Sequence, residues 1–129
     1  MLARTSLALL ITLAACSDSN SNTPDAAPAS DAAGATVTTV TCPGGTVPTI
    51  TATDGVDTTY SPKTLSIGVG QIVKFTMPST HNVVPALTGT TDPGLMVNFN
   101  ETKCLMFAKA GAFNFRCGPH SFVGTVTVQ

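Results

Sequence analysis

The chain has 129 residues, room for one domain of ordinary size with tails. Its formal net charge of −1 and its charged fraction of only 10% exclude a strongly basic nucleic-acid binder. With no tryptophan, one tyrosine, and glycine, proline, threonine and valine spread along its length, it favours short strands and turns over helices.

The first fifteen residues, Met1 to Ala15, carry Arg4, then polar Thr5 and Ser6, then a run from Leu7 to Ala15 that is apolar apart from Thr12. That layout is a secretion signal, because the apolar run is too short to span a bilayer as a mature helix. Leu13-Ala14-Ala15-Cys16 resembles the lipobox of bacterial lipoproteins. The resemblance implies that residues 1–15 are removed and that Cys16 becomes the first mature residue, carrying lipid and anchoring the protein to a membrane. An ordinary cleaved signal followed by a stray cysteine is the alternative. Loss of Arg4 leaves five basic residues against seven acidic ones. Residues 16–35 follow as a low-complexity tract of Ser, Asn, Asp, Ala and Pro with no large apolar side chain. Such a tract cannot bury enough surface to offset its ordering entropy and is expected to act as a flexible tether, with a root-mean-square reach of ~20–25 Å.

The folded domain is expected over residues 36–129. Thr36 to Thr41 and Val47 to Thr53 are short β-branched runs separated by the turn Cys42-Pro43-Gly44-Gly45, and Asp54-Gly55 makes a second turn. Tyr60-Ser61-Pro62 leads into Thr64 to Ile67, which alternates polar and apolar as a half-buried strand does. The turn Gly68 to Gln71 then gives way to a strand from Ile72 to Met77. His81-Asn82-Val83-Val84 reads as the edge of a strand, Pro85 to Pro93 as a loop, and Gly94 to Phe99 as a return to strand. Lys103 to Phe107, Ala112 to Arg116 and Thr125 to Gln129 are the last three runs. Seven or eight short strands at this spacing predict an all-β, Greek-key antiparallel β-sandwich.

Between the last two runs lies Cys117-Gly118-Pro119-His120, a thiol and an imidazole separated by a rigid spacer. Two ligands of this softness suit copper or zinc and need one or two more from elsewhere. The chain has two histidines, and the second is His81. His81-Asn82-Val83-Val84, followed much later by Cys117-Gly118-Pro119-His120 and Val123-Gly124-Thr125-Val126-Thr127-Val128, resembles the cupredoxins, the plastocyanins and amicyanins above all. The similarity runs roughly from Thr36 to Gln129. It implies one type 1 copper held by His81, Cys117 and His120, with Asn82 tying the two ligand loops together.

The family usually places a methionine, its weak axial ligand, shortly after the second histidine, and no methionine follows Met106 here. Counting back from the last strand puts Phe122 at that position; counting forward puts Val123 there. Neither can donate to a metal, so a three-coordinate site with an apolar axial face is expected, or one completed by a backbone carbonyl or water. With Cys16 and Cys117 assigned by these resemblances, Cys42 and Cys104 remain, and in an exported protein they can form a disulfide. Ligation of the metal by Cys42 or Cys104 stays open at this level.

The resemblance implies a periplasmic or cell-surface carrier of single electrons between redox partner proteins, monomeric and without a nucleic-acid partner. There is no nucleophile–base pair and no spare histidine, so an enzyme is not expected. The other readings on the same scaffold are a copper-binding or delivery protein and a metal-free interaction module. A blue charge-transfer band on adding Cu(II) separates the last of these from the first two.

Overall fold

A computed structural model describes residues 35–129. The expected signal segment 1–15, Cys16 and the linker up to residue 34 lie outside the described residues. Nine strands form two facing sheets, in the order β1 (Val37–Val40), β2 (Thr49–Thr53), β3 (Thr59–Ser61), β4 (Thr64–Ile67), β5 (Ile72–Thr76), β6 (Val84–Pro85), β7 (Thr102–Phe107), β8 (Gly111–Arg116) and β9 (Val123–Val128). One sheet runs β1-β7-β5-β2-β3 and the other β4-β9-β8-β6. No helix occurs among the described residues. The all-β sandwich expected from the spacing of the strands is therefore what forms, with β3 and β6 as short additions.

Alternation decides which side of each strand enters the core. In β2, Ile50 and Ala52 are buried while Thr49, Thr51 and Thr53 face solvent, and in β5 Val73 and Phe75 are buried between less buried neighbours. From the other sheet come Phe113 and Phe115 of β8 and Val126 and Val128 of β9. The sheets meet through edge-to-face aromatic pairs, Phe75 with Phe115 at 5.6 Å and Phe107 with Phe113 at 5.3 Å between ring centres. Gly124, opposite Phe115 in the β8–β9 ladder, leaves room for that ring, since a Cβ there would lie 2.5 Å from it.

Two pairings are parallel, β2 with β5 and β4 with β9, where an antiparallel arrangement is expected from sequence. The cause is the path of the chain. Only β2–β3 and β8–β9 are hairpins between consecutive strands among the described residues; β1 to β2 passes over two strands of its sheet, and the other connections cross between sheets. A crossing frees the direction of a strand from that of its neighbour in sequence.

Gly94 to Phe99 is not a strand. Its alternation is real, with Leu95 and Val97 buried and Met96 exposed, but its ladder is the single bridge Val83↔Val97. The buried Asp92 carboxylate takes the place of a strand partner, accepting from Thr36 N at 2.6 Å, Thr36 Oγ1 at 3.0 Å and Gly94 N at 2.8 Å. Gly94 passes so close to β1 that a Cβ would strike the Val37 carbonyl oxygen.

Cys42 and Cys104 form a disulfide. Cys104 alternates with the core-facing Leu105 and Phe107, so it lies on the outer face of β7, covered by the bond to Cys42. Neither sulfur is available as a metal ligand, and the free cysteine among the described residues is Cys117.

Candidate metal centre

The β8–β9 ladder ends at Arg116↔Val123, which leaves residues 117–122 to make the loop. Two backbone hydrogen bonds close it, Cys117 N to Phe122 O and Ser121 N to Cys117 O, both at 2.9 Å. Closing so short a loop puts Ser121 in the left-handed region at φ 60°. Arg116 fastens it from the strand side, its Nη1 donating to Gly118 O at 3.1 Å and to Cys117 O at 3.4 Å.

His81 stands in the loop before β6, not within a strand, and is fixed by its surroundings. Val83, two residues on, exchanges both backbone hydrogen bonds with Val97. Asn82 joins this loop to the hairpin, its Oδ1 accepting from Gly118 N at 2.7 Å. A side chain on Gly118 would press on that amide, since its Cβ would lie 3.2 Å from Asn82 Oδ1. The Asn82 carbonyl in turn accepts from the buried Tyr60 hydroxyl at 2.6 Å. Burial raises the Tyr60 pKa, and the nearby Cys117 adds to the effect.

These supports bring His81, Cys117 and His120 together. The Nδ1 atoms of the two imidazoles are 3.1 Å apart, and each lies 3.6 Å from Cys117 Sγ. A point equidistant from the corners of a triangle with those sides is about 2.0 Å from each, close to the ~2.0–2.1 Å and ~2.3 Å that imidazole nitrogen and thiolate sulfur keep from zinc. His81 and Cys117 are buried and His120 is exposed, so one edge of the triangle reaches solvent. A thiolate with two imidazoles is a donor set for a soft or borderline ion, and the residues present fit one. Among the described residues no further His, Cys, Asp or Glu belongs to this cluster.

Phe122 and Val123 separate here. The Phe122 ring lies 5.1 Å from that of His81 at 79°, 6.3 Å from that of His120 at 12°, and 4.7 Å from that of Tyr60. Val123 opens β9 and is 47% exposed. Phe122 is thus the apolar side chain that abuts both imidazoles.

Two neighbours of the site have no counterpart in the sequence reading. One is Arg116, whose only signal is a cation beside the loop cysteine. The other is Asp54, whose Oδ1 lies 2.8 Å from His81 Nε2 and accepts from Thr80 Oγ1 at 2.7 Å. Asp54-Gly55 reads in sequence as a turn, which is correct, but nothing local reveals what the turn leans on.

Among solved structures the chain is similar to amicyanins. A single-residue amicyanin mutant in its reduced Cu(I) form at pH 4 aligns with a TM-score of 0.56 and 21% identity, over 73% of this chain and 99% of that one. Another mutant, also Cu(I), gives 0.55 and 20% over the same shares. The amicyanin of Paracoccus versutus (Thiobacillus versutus) gives 0.54 and 18%, over 74% of this chain and 99% of its own. No protein-family model and no curated protein sequence matches the chain.

Proposed function

We propose that this chain, a cupredoxin sandwich by its fold, binds one type 1 copper through His81, Cys117 and His120 and carries single electrons between redox partner proteins. The observation that carries the reading is the donor triangle, whose centre is at metal-bonding distance from two Nδ1 atoms and one sulfur. The Cu(I) state of two amicyanin neighbours supports the choice of metal. When bound, copper supplies a one-electron couple that no side chain of this protein offers.

The chain's own part is to hold the donors still. The Asn82–Gly118 hydrogen bond and the two bonds that close the 117–122 loop fix both ligand segments, the loop before β6 and the β8–β9 loop, against one another. A donor set that keeps its shape in both oxidation states lowers the reorganisation cost of electron transfer. Burial of His81 and Cys117 keeps water from the inner side, and the Phe122 ring fills space beside both imidazoles. The exposed His120 ring, next to exposed Pro119, is the route for the electron to a partner docked at this end. With the Phe122 ring and no thioether beside the two imidazoles, a bound copper would be held by three donors, which would favour Cu(I) and a high potential.

The signal-like residues 1–15 and the lipobox-like segment ending at Cys16 support export and anchoring of a monomeric domain on a flexible linker, facing the periplasm or cell surface. The exposed His120 and a set of only three donors also suit a protein that hands Cu(I) to an acceptor. One equivalent of Cu(II) added to the chain from Cys16 onward, unlipidated, should give an intense blue thiolate charge-transfer band that Cys117→Ser abolishes. Absence of the band overturns the copper reading. Reversible voltammetry of the loaded protein then favours electron transfer, and transfer of Cu(I) to an acceptor protein favours delivery.

A further inference from the structure

We infer that Asp54 is the positioning residue of the buried imidazole: its carboxylate charge, 2.8 Å from His81 Nε2, favours the proton on that nitrogen and thereby leaves the Nδ1 lone pair to share an ion with Cys117 and His120. The inference rests on the metal reading of that cluster. A neutral imidazole has one N–H and one lone pair, and which nitrogen carries the proton follows from the partner the other finds. His81 Nε2 is buried, and the atom that reaches it among the described residues is Asp54 Oδ1 at 2.8 Å. The oxygen stands off the N–H axis, so the contact is short and electrostatic rather than a well-aligned hydrogen bond. No acceptor makes an aligned hydrogen bond to this nitrogen among the described residues, so the carboxylate acts on it through its charge.

Although Asp54 is 61% exposed, its placement is built. The β2–β3 ladder ends at Thr53↔Thr59. Within the turn Thr58 Oγ1 donates to Gly55 O at 2.9 Å and Thr53 Oγ1 to Asp57 O at 3.0 Å, while Gly55 takes the left-handed φ of 115° the turn requires. Thr80, the residue before His81, donates to the same Oδ1, so one carboxylate pins both the ligand and its loop. A carboxylate behind a ligating histidine fixes its tautomer and raises its basicity. His120 has no such partner among the described residues, so the two imidazoles are unequal.

The test compares the full chain with Asp54→Ala and Asp54→Asn, using Zn(II) alone as probe and the ring 15N shifts of the metal-free protein at a pH where the imidazoles are neutral. Wild type should show His81 as the Nε2–H tautomer. Asp54→Ala should convert it to a mixture of tautomers and weaken Zn(II) binding roughly 10–100-fold. Asp54→Asn keeps an acceptor oxygen without the charge and should restore the tautomer and the affinity only in part. An unchanged His81 tautomer and unchanged Zn(II) affinity in Asp54→Ala overturn the inference. If wild type binds no metal, the metal reading fails by itself, and the His81 tautomers of wild type and Asp54→Ala decide the role of Asp54 on their own.

Discussion

At the scale of single residues, the neighbours Phe122 and Val123 show what a count along the chain cannot settle. Counting back gives Phe122 and counting forward gives Val123; the Phe122 ring lies beside the two imidazoles, while Val123 is 47% exposed at the start of β9. Phe122→Met should therefore place a thioether beside the donor triangle and stabilise Cu(II), whereas Val123→Met should do neither. Each tenfold preference for Cu(II) lowers a one-electron potential by about 59 mV, and one or two such steps are expected for Phe122→Met alone. Voltammetry of the two copper-loaded variants checks this; equal shifts, or none, would remove Phe122 from the axial role. His81, Cys117 and His120 are legible in sequence because thiol and imidazole are rare and chemically specific. Asp54 and Arg116 are not, because charged side chains in turns and at strand ends are ordinary until the fold gives them a neighbour.

At the scale of elements, the β8–β9 hairpin is the part on which the site hangs, and its weak point is one pair across the ladder. Phe115 lies over Gly124, with Tyr60 4.7 Å from the Phe115 ring and bonded to the Asn82 carbonyl. Gly124→Ala would put a methyl group 2.5 Å from Phe115 and 3.0 Å from Tyr60. Overpacking of this kind costs ~1–3 kcal/mol, and the strain passes directly to the residue that supports Asn82. Denaturant unfolding should show the loss for Gly124→Ala and almost none for Gly44→Ala, where the added methyl meets open space. Seven of the nine strands among the described residues follow from local β-branched or alternating runs, with ends that shift by a residue or two. The segment 94–99 carries the same alternation and yet is no strand, because the amides of Gly94, Leu95 and Met96 donate to Asp92 and to the Gly94 carbonyl instead of to a ladder. Pattern reports which side chains are buried; it does not report what the backbone pairs with.

At the scale of the whole molecule, the disulfide joins the chain just beyond the edge strand β1 to the outer face of β7 and closes a separation of 62 residues. Replacing both cysteines, Cys42→Ser with Cys104→Ala, should cost about 2–4 kcal/mol by releasing the unfolded chain, measured as a lower denaturant midpoint. The copper spectrum should not change, because the bond sits on the face of the sheet away from the core that carries the site. What the sequence determined alone was the class of structure and the chemistry available to it. Period-two alternation and turn residues require strands, and a thiol three residues before an imidazole supplies one soft and one borderline donor. Tertiary structure decided how those donors meet, which of two neighbouring side chains lies beside them, which strands pair in parallel, and that an exposed aspartate stands behind a buried histidine. The reason is physical. Alternation and ligand type are properties of residues and their near neighbours, whereas a contact between Asp54 and His81, or between Phe122 and two imidazoles, exists only after chain crossings between the sheets have fixed which loops share one end of the sandwich.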